Sequence, residues 1–254
     1  MSAEGGTDPG EAPVLVIGCS DGIGRQVALS LIGRGERVVG ISRRDAGIGD
    51  PRYEHHTVDV STAEFPVRLR AIISAHPDLA AAIHCAAVGS DFDPGDLRGE
   101  LVCFRTNLVS AVETAAVLVP HWRERGAGGH LVVLSSLADL VVLSDAPSYA
   151  ASKAGLSRWL RGLGLALRKD GIAVTNVRFG FVDTKLAVAP VRPFLMSRER
   201  AARVVLGALR SRRAVVSRPR RALWLATAVA SIQRLGLAVE GMVRRAPRRG
   251  RRGE

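Results

Sequence analysis

Apolar residues along this chain fall into short unbroken runs separated by longer segments of helical pattern. Val14, Leu15, Val16 and Ile17 form one such run, and residues 129–134 form another. Runs of this kind, lacking polar alternation, predict strands buried on both faces, as in a parallel sheet. Further strands are expected over 37–42, 53–58, 79–85 and 172–178, with a brief edge strand at 214–216. Helical patterns cover 23–34, 64–76, 97–123, the stretch around residues 148–154, and 197–210. Strands alternating with helices predict an α/β fold, a doubly wound parallel sheet of about seven strands. Residues 222–239 give one more helix, mostly apolar and including Trp224, interrupted by Gln233 and Arg234. Its uncharged run, 222–233, is short for a bilayer span and fits an interfacial helix, a cover over a pocket or a subunit interface.

Composition sharpens the boundaries. The 254 residues, 47% of them apolar, suffice for one full core and call for no second domain. Residues 1–12 carry glycine, proline and acids without an apolar stretch, which predicts a disordered lead-in and no signal peptide. Residues 13–217 are expected to form the α/β domain, and 218–254 a basic, partly apolar extension. From Arg198 onward sixteen arginines face three glutamates, a net of +13, so the preceding 197 residues stand at −1. The overall charge of +12 therefore describes the tail. It gives the body no reason to bind nucleic acid, and arginines flanking an apolar helix suit an anionic membrane surface. Cys19, Cys85 and Cys103 are isolated in sequence, which argues for a reducing, cytoplasmic setting and against disulfides. His55 and His56 read as a solvent-side pair on a strand, and no metal site is expected.

The chemistry centres on Tyr149 and Lys153. Four residues apart on a helix, they share a face, and an ammonium beside a phenol favours the phenolate. A free tyrosine titrates near about 10, too high for efficient proton transfer at neutral pH, so the pairing predicts a depressed value. The spacing alone is weak and fits an incidental surface pair better. Two neighbours add weight. Ser136 stands at the carboxyl end of the 129–134 strand, the edge where open α/β sheets bind ligands. Gly18, Gly22 and Gly24, with Ser20, Asp21 and Ile23 between them, follow the first strand and open a helix. Such glycines allow a tight turn, close approach of backbone to a pyrophosphate and tight helix–strand packing. A Gly-Lys-Ser/Thr phosphate loop is absent from the turn.

With these motifs in order the chain resembles the short-chain dehydrogenase/reductase family, single-domain type, over roughly residues 13–217. The resemblance implies an NAD(P)-dependent oxidoreductase interconverting a carbonyl and a secondary alcohol. Asn107, Ser136, Tyr149 and Lys153 match its catalytic tetrad, with Asn107 kinking its helix and anchoring a relay water. Asn107 alone reads equally as a loop-bonding residue. The cofactor would lie on Gly18, Ser20, Asp21, Gly22, Ile23 and Gly24, then Ser42, Arg43 and Arg44, Asp59 and Val60, Ala86 and Ala87, and Gly180, Val182 and Thr184. Asn107, Tyr149 and Lys153 would complete that set.

Ser42 stands where an acid would select NAD, and Arg43 and Arg44 follow it, so NADP(H) is favoured over NAD(H). The two arginines read otherwise as solvated loop charges, and Asp21 would repel an extra phosphate. Asp59 would meet the adenine amino group or cap the helix at 64–76. The sequence departs from the family at Ile17, at His84 and Cys85, and at Phe179, replacing a threonine, two asparagines and a proline. Leu137, Val141, Leu143, Phe179 and Phe181 are the substrate candidates and suggest a lipophilic carbonyl. Relatives pair through the helices holding Asn107 and Tyr149, which implies a homodimer or homotetramer. The alternative is a non-catalytic NADP(H)-binding sensor or scaffold on the same fold.

Overall fold

The computed structural model describes residues 12–89 and 91–245. Most of the expected lead-in and the end of the basic tail, 246–254, lie outside the described residues. Among these residues seven strands form one parallel sheet: β1 (Val14–Ile17), β2 (Val38–Ser42), β3 (Tyr53–Thr57), β4 (Ala81–His84), β5 (Gly129–Ser136), β6 (Ile172–Phe179) and β7 (Val215–Arg218). Their order across the sheet is β3-β2-β1-β4-β5-β6-β7. The chain moves outward from β1 to β3 and then returns to β4 on the other side of β1. That reversal opens a crevice at the carboxyl ends of β1 and β4.

Side-chain alternation divides the core. Leu15 and Ile17, with Val39, Ile41, Leu131 and Val133, face α2 (Phe65–Ala75), α4 (Ser110–Arg125) and α5 (Pro147–Ala166). Val14 and Val16, with Val38, Val132 and Leu134, face α1 (Gly22–Ile32) and α6 (Arg198–Ser211). Burying both faces is why β1 and β2 are unbroken apolar runs, whereas the edge strand β3 carries Glu54, His55 and His56.

The expected helix over 97–123 is three pieces. α3 (Arg98–Phe104) passes into a π-helical turn, Arg105–Val109, before α4. This stretch, Arg98–Arg125, is long and apolar enough to cross a membrane, yet half of it is buried inside the protein, as befits a core helix. β4 is shorter than expected because the chain beyond His84 leaves the sheet to line the crevice.

The extension forms α7 (Arg220–Arg245), which begins before the expected residue 222. It packs on the loop after β5: the Gln233 amide accepts from Val142 N at 2.9 Å and donates to Val142 O at 2.8 Å. Ala230 is buried there, while Trp224, Ile232 and Leu235 remain exposed.

Candidate active site

The crevice is a cleft of about 390 Å³. Gly18, Ser20, Asp21, Gly22, Ile23 and Gly24 form one wall, Ser42, Arg43 and Arg44 one end, and Val60, Ala86, Ala87 and Thr184 further parts of the lining. Thirteen of the expected cofactor residues thus meet in one place. Gly18 has φ +85°, and a Cβ there would lie 2.6 Å from Ala86 N. A Cβ on Gly24 would overlap the Gly18 carbonyl oxygen, so both positions require glycine. Asp21 caps α1, its carboxylate accepting from Gly22 N at 2.7 Å. Its other oxygen meets Lys185 Nζ at 2.7 Å, and this ammonium, with the Gly22 amide, holds the carboxyl below its usual range. The negative charge expected to repel a phosphate is therefore paired. Glycine turn and helix N-terminus together fit the pyrophosphate of a dinucleotide.

The catalytic candidates gather beside this cleft. Pro147 opens α5, and Glu100 of α3 receives both Ser148 N at 3.1 Å and Ser148 Oγ at 2.9 Å. These contacts fix the helix start that carries Tyr149. Ser136 ends β5 and accepts from Ala138 N at 3.1 Å, capping the 3₁₀ turn Leu137–Leu140. Lys153 is buried, donates to Leu134 O at 3.2 Å and lies 5.9 Å from the Tyr149 ring centroid. Asn107 sits in the π-helical turn, a distortion common at functional sites. Its amide clasps Val88, accepting from Val88 N at 2.8 Å and donating to Val88 O at 2.9 Å. Since Val88 lines the cleft, Asn107 joins the catalytic candidates to it; Ser136, Tyr149 and Lys153 are not themselves part of that lining.

A separate depression of about 500 Å³, at Trp122, Arg123, Glu124, Gly126, Lys169 and Asp170, carries no comparable grouping. Comparison with known proteins agrees with the cleft. Residues 12–192 match the family model for short chain dehydrogenases. The chain belongs to the short-chain dehydrogenase/reductase family. An uncharacterized oxidoreductase of Myxococcus xanthus is 35% identical over 197 residues, 72% of this chain and 77% of that protein. The probable oxidoreductase EphD of Mycobacterium tuberculosis is 28% identical over 191 residues, 70% of this chain but only 32% of EphD. A short chain dehydrogenase from Burkholderia cenocepacia, solved in complex with NADP, superposes with a TM-score of 0.78 at 21% identity, covering 91% of this chain and 98% of its own. That likeness concerns the fold.

Within this short-chain dehydrogenase several expectations change. Burial pushes the Tyr149 phenol up, and the Ser136 hydroxyl pulls it only part of the way back. The depressed phenol expected from Lys153 is thus reversed: the ammonium points at the Leu134 carbonyl, and its own burial lowers it to about 8. Phe179 is not a substrate residue, because its side chain is buried with Val177 and Val182 in the core facing α1 and α6. Leu137 is likewise buried, whereas Val141, Leu143 and Phe181 keep partial exposure. Asp59 does not cap α2; it accepts from Ser61 N at 2.9 Å and Ser61 Oγ at 2.8 Å, leaving Val58 and Val60 to line the cleft. The Ser42 hydroxyl donates to Arg44 O at 2.7 Å, which shapes the arginine turn.

Other residues gained roles that sequence reasoning missed. His84, one of the departures from the family pattern, is bonded on both ring nitrogens, with Thr114 Oγ1 and Ser110 Oγ each at 3.1 Å. Burial lowers it to about 3, so it stays neutral. Cys85 lines the cleft, and burial pushes its thiol up, which leaves it a poor nucleophile. Thr106, Gly89, Lys185 and Leu186 also line the cleft. Their closeness to Asn107 and Thr184 in sequence was the available signal.

Proposed function

We propose that this protein is an NADP(H)-dependent reductase of a lipophilic carbonyl compound, with Tyr149 as proton donor. The observation that carries the reading is the Tyr149 phenol within hydrogen-bond reach of Ser136, beside the glycine- and arginine-lined cleft, and burial pushes that phenol towards its protonated form. Ser136 donates a hydrogen bond to the substrate carbonyl oxygen and holds it against Tyr149. The Tyr149 proton passes to that oxygen as the carbonyl carbon is reduced. Bound NADPH supplies the hydride. Lys153, still charged at neutral pH, returns a proton to the tyrosinate left behind. Asn107 keeps Val88 and the π-helical turn in register with α5, donating to Ser152 Oγ at 3.2 Å.

The preference for NADP rests on Arg43 and Arg44 at the end of β2 and on the Asp21–Lys185 pair, which offsets the nearby carboxylate. The lipophilic substrate class rests on Val141, Leu143 and Phe181 around the loop that α7 covers. The exposed Leu101, Val109, Val112 and Leu165 on α3 to α5 support a homodimer across these helices. Exposed Trp224, Ile232 and Leu235, with Arg220, Arg221 and Arg234 on the same helix, suit an anionic membrane surface from which such a substrate is drawn.

The test is NADPH oxidation against aldehydes, ketosteroids, quinones and acyl ketones. Tyr149→Phe is expected to lower kcat by about 10²- to 10⁴-fold while leaving NADPH affinity in place. Unchanged turnover in that variant would remove Tyr149 from the chemistry. Tight NADPH binding without reduction of any carbonyl would favour a sensor or scaffold.

A further inference from the structure

The edge strand β3 carries a second polar grouping, unrelated to the cleft. Alternation turns Tyr53 towards the α1 side of the sheet and Glu54 and His56 towards the side that carries α2. α2 ends at His76, and its return path brings that ring to Glu54. His56 Nε2 lies 2.8 Å from one Glu54 carboxylate oxygen and His76 Nε2 3.2 Å from the other. A ligand atom from each residue falls within 4.8 Å of the others. Despite the short separations, neither imidazole nitrogen has a directed hydrogen-bond partner among the described residues, though both are buried. Buried polar atoms of this kind normally have one.

We propose that Glu54, His56 and His76 bind a divalent transition-metal cation of the Zn(II) class. Two imidazoles and a carboxylate are a donor set that borderline cations prefer over Mg(II) or Ca(II), which favour oxygen. Metal–ligand bonds of about 2.0–2.2 Å in a tetrahedron set donor atoms somewhat over 3 Å apart, so only slight opening of the cluster is needed. His76 is 8% exposed and fixes the inner side, whereas Glu54 is half exposed and leaves a fourth position to water. A simple ion pair explains the grouping less well, because it needs N–H groups aimed at the carboxylate. α2 runs against the strands, so His76 beyond its far end lies away from the carboxyl ends that form the cleft. Its effect is to fasten the unpaired edge of β3 to the end of α2, whatever the enzyme reduces.

The full-length protein, stripped with chelator, is dialysed against Zn(II), and bound metal is measured by mass spectrometry alongside the unfolding temperature. A single equivalent and a raised Tm are expected, and Co(II) in its place should show no thiolate charge-transfer band. The double variant His56→Gln/His76→Gln is expected to lose at least about ten-fold in Zn(II) affinity and the Tm shift, with NADPH binding retained. If that variant fails to fold, Glu54→Gln carries the same expectation, since its carboxylate is half exposed. No stoichiometric uptake, uptake undiminished in the folded variants, or a thiolate band pointing to the cysteines would each overturn the proposal.

Discussion

Replacing Lys153 with methionine should destroy activity and yet stabilise the protein. Burial lowers this lysine from 10.5 to about 8, so in the folded chain the ammonium is disfavoured relative to the unfolded chain. At 1.36 kcal/mol per tenfold change in proton affinity, that costs the native state about 3 kcal/mol at pH 7. Methionine has a similar length and carries no charge, so the cost disappears with it. The sign follows from proton counting. Between about pH 8 and pH 10.5 the unfolded lysine holds more proton than the folded one, so the wild type gains stability as pH rises through that window. The advantage of the variant should therefore shrink from about 3 kcal/mol at pH 7 to about half that at pH 9.5. Urea unfolding of both proteins without cofactor at the two pH values measures it. The difference is the quantity to read, because the raised Cys85 thiol and Tyr53 phenol bend both curves downward at alkaline pH. A variant no more stable than wild type at pH 7, or a gap that does not narrow, would refute the assignment of the low value to desolvation.

The same value predicts that kcat/KM for carbonyl reduction holds through neutrality and falls above about pH 8 as Lys153 loses its proton, a decline visible in a pH–rate profile. Gly24→Ala should cost about 3 kcal/mol or more and abolish NADPH binding, because the new methyl meets the Gly18 backbone; thermal unfolding and a fluorescence titration check both. Asp139 is buried and receives Arg178 Nη2 at 2.6 Å and Ser157 Oγ at 2.5 Å. Asp139→Asn strands the arginine charge and should cost about 3 kcal/mol in urea unfolding. Arg43→Ala should raise KM for NADPH at least about ten-fold and leave KM for NADH nearly unchanged, as steady-state kinetics with both cofactors will show.

What was readable in the chain follows from how locally each feature is encoded. β1 and the centre of β5, residues 131–134, are apolar runs because both faces are covered, and no long-range knowledge is needed to see them. Gly18, Gly22 and Gly24 mark their own turn, since a Cβ at two of them meets backbone. Tyr149 and Lys153 share a helix face by spacing alone. Their electrostatics were not readable, because desolvation depends on what packs around α5 and not on the four-residue interval. His84 looked anomalous until Ser110 and Thr114, one and two turns along from Thr106 on the neighbouring helix, supplied its partners. His76 belongs with Glu54 and His56 only through the packing of α2 on the edge strand. Phe179 lies at the cleft end of β6, but strand alternation sends its ring to the core.

The clasp between Gln233 and the Val142 backbone gives the C-terminal arm a mechanical hold on the region beside Ser136. Whatever pulls on that arm, a surface or a fused tag, pulls on the loop after β5 and so on the proposed substrate side of the enzyme. Recombinant versions intended for kinetics should therefore carry their handle at the amino terminus.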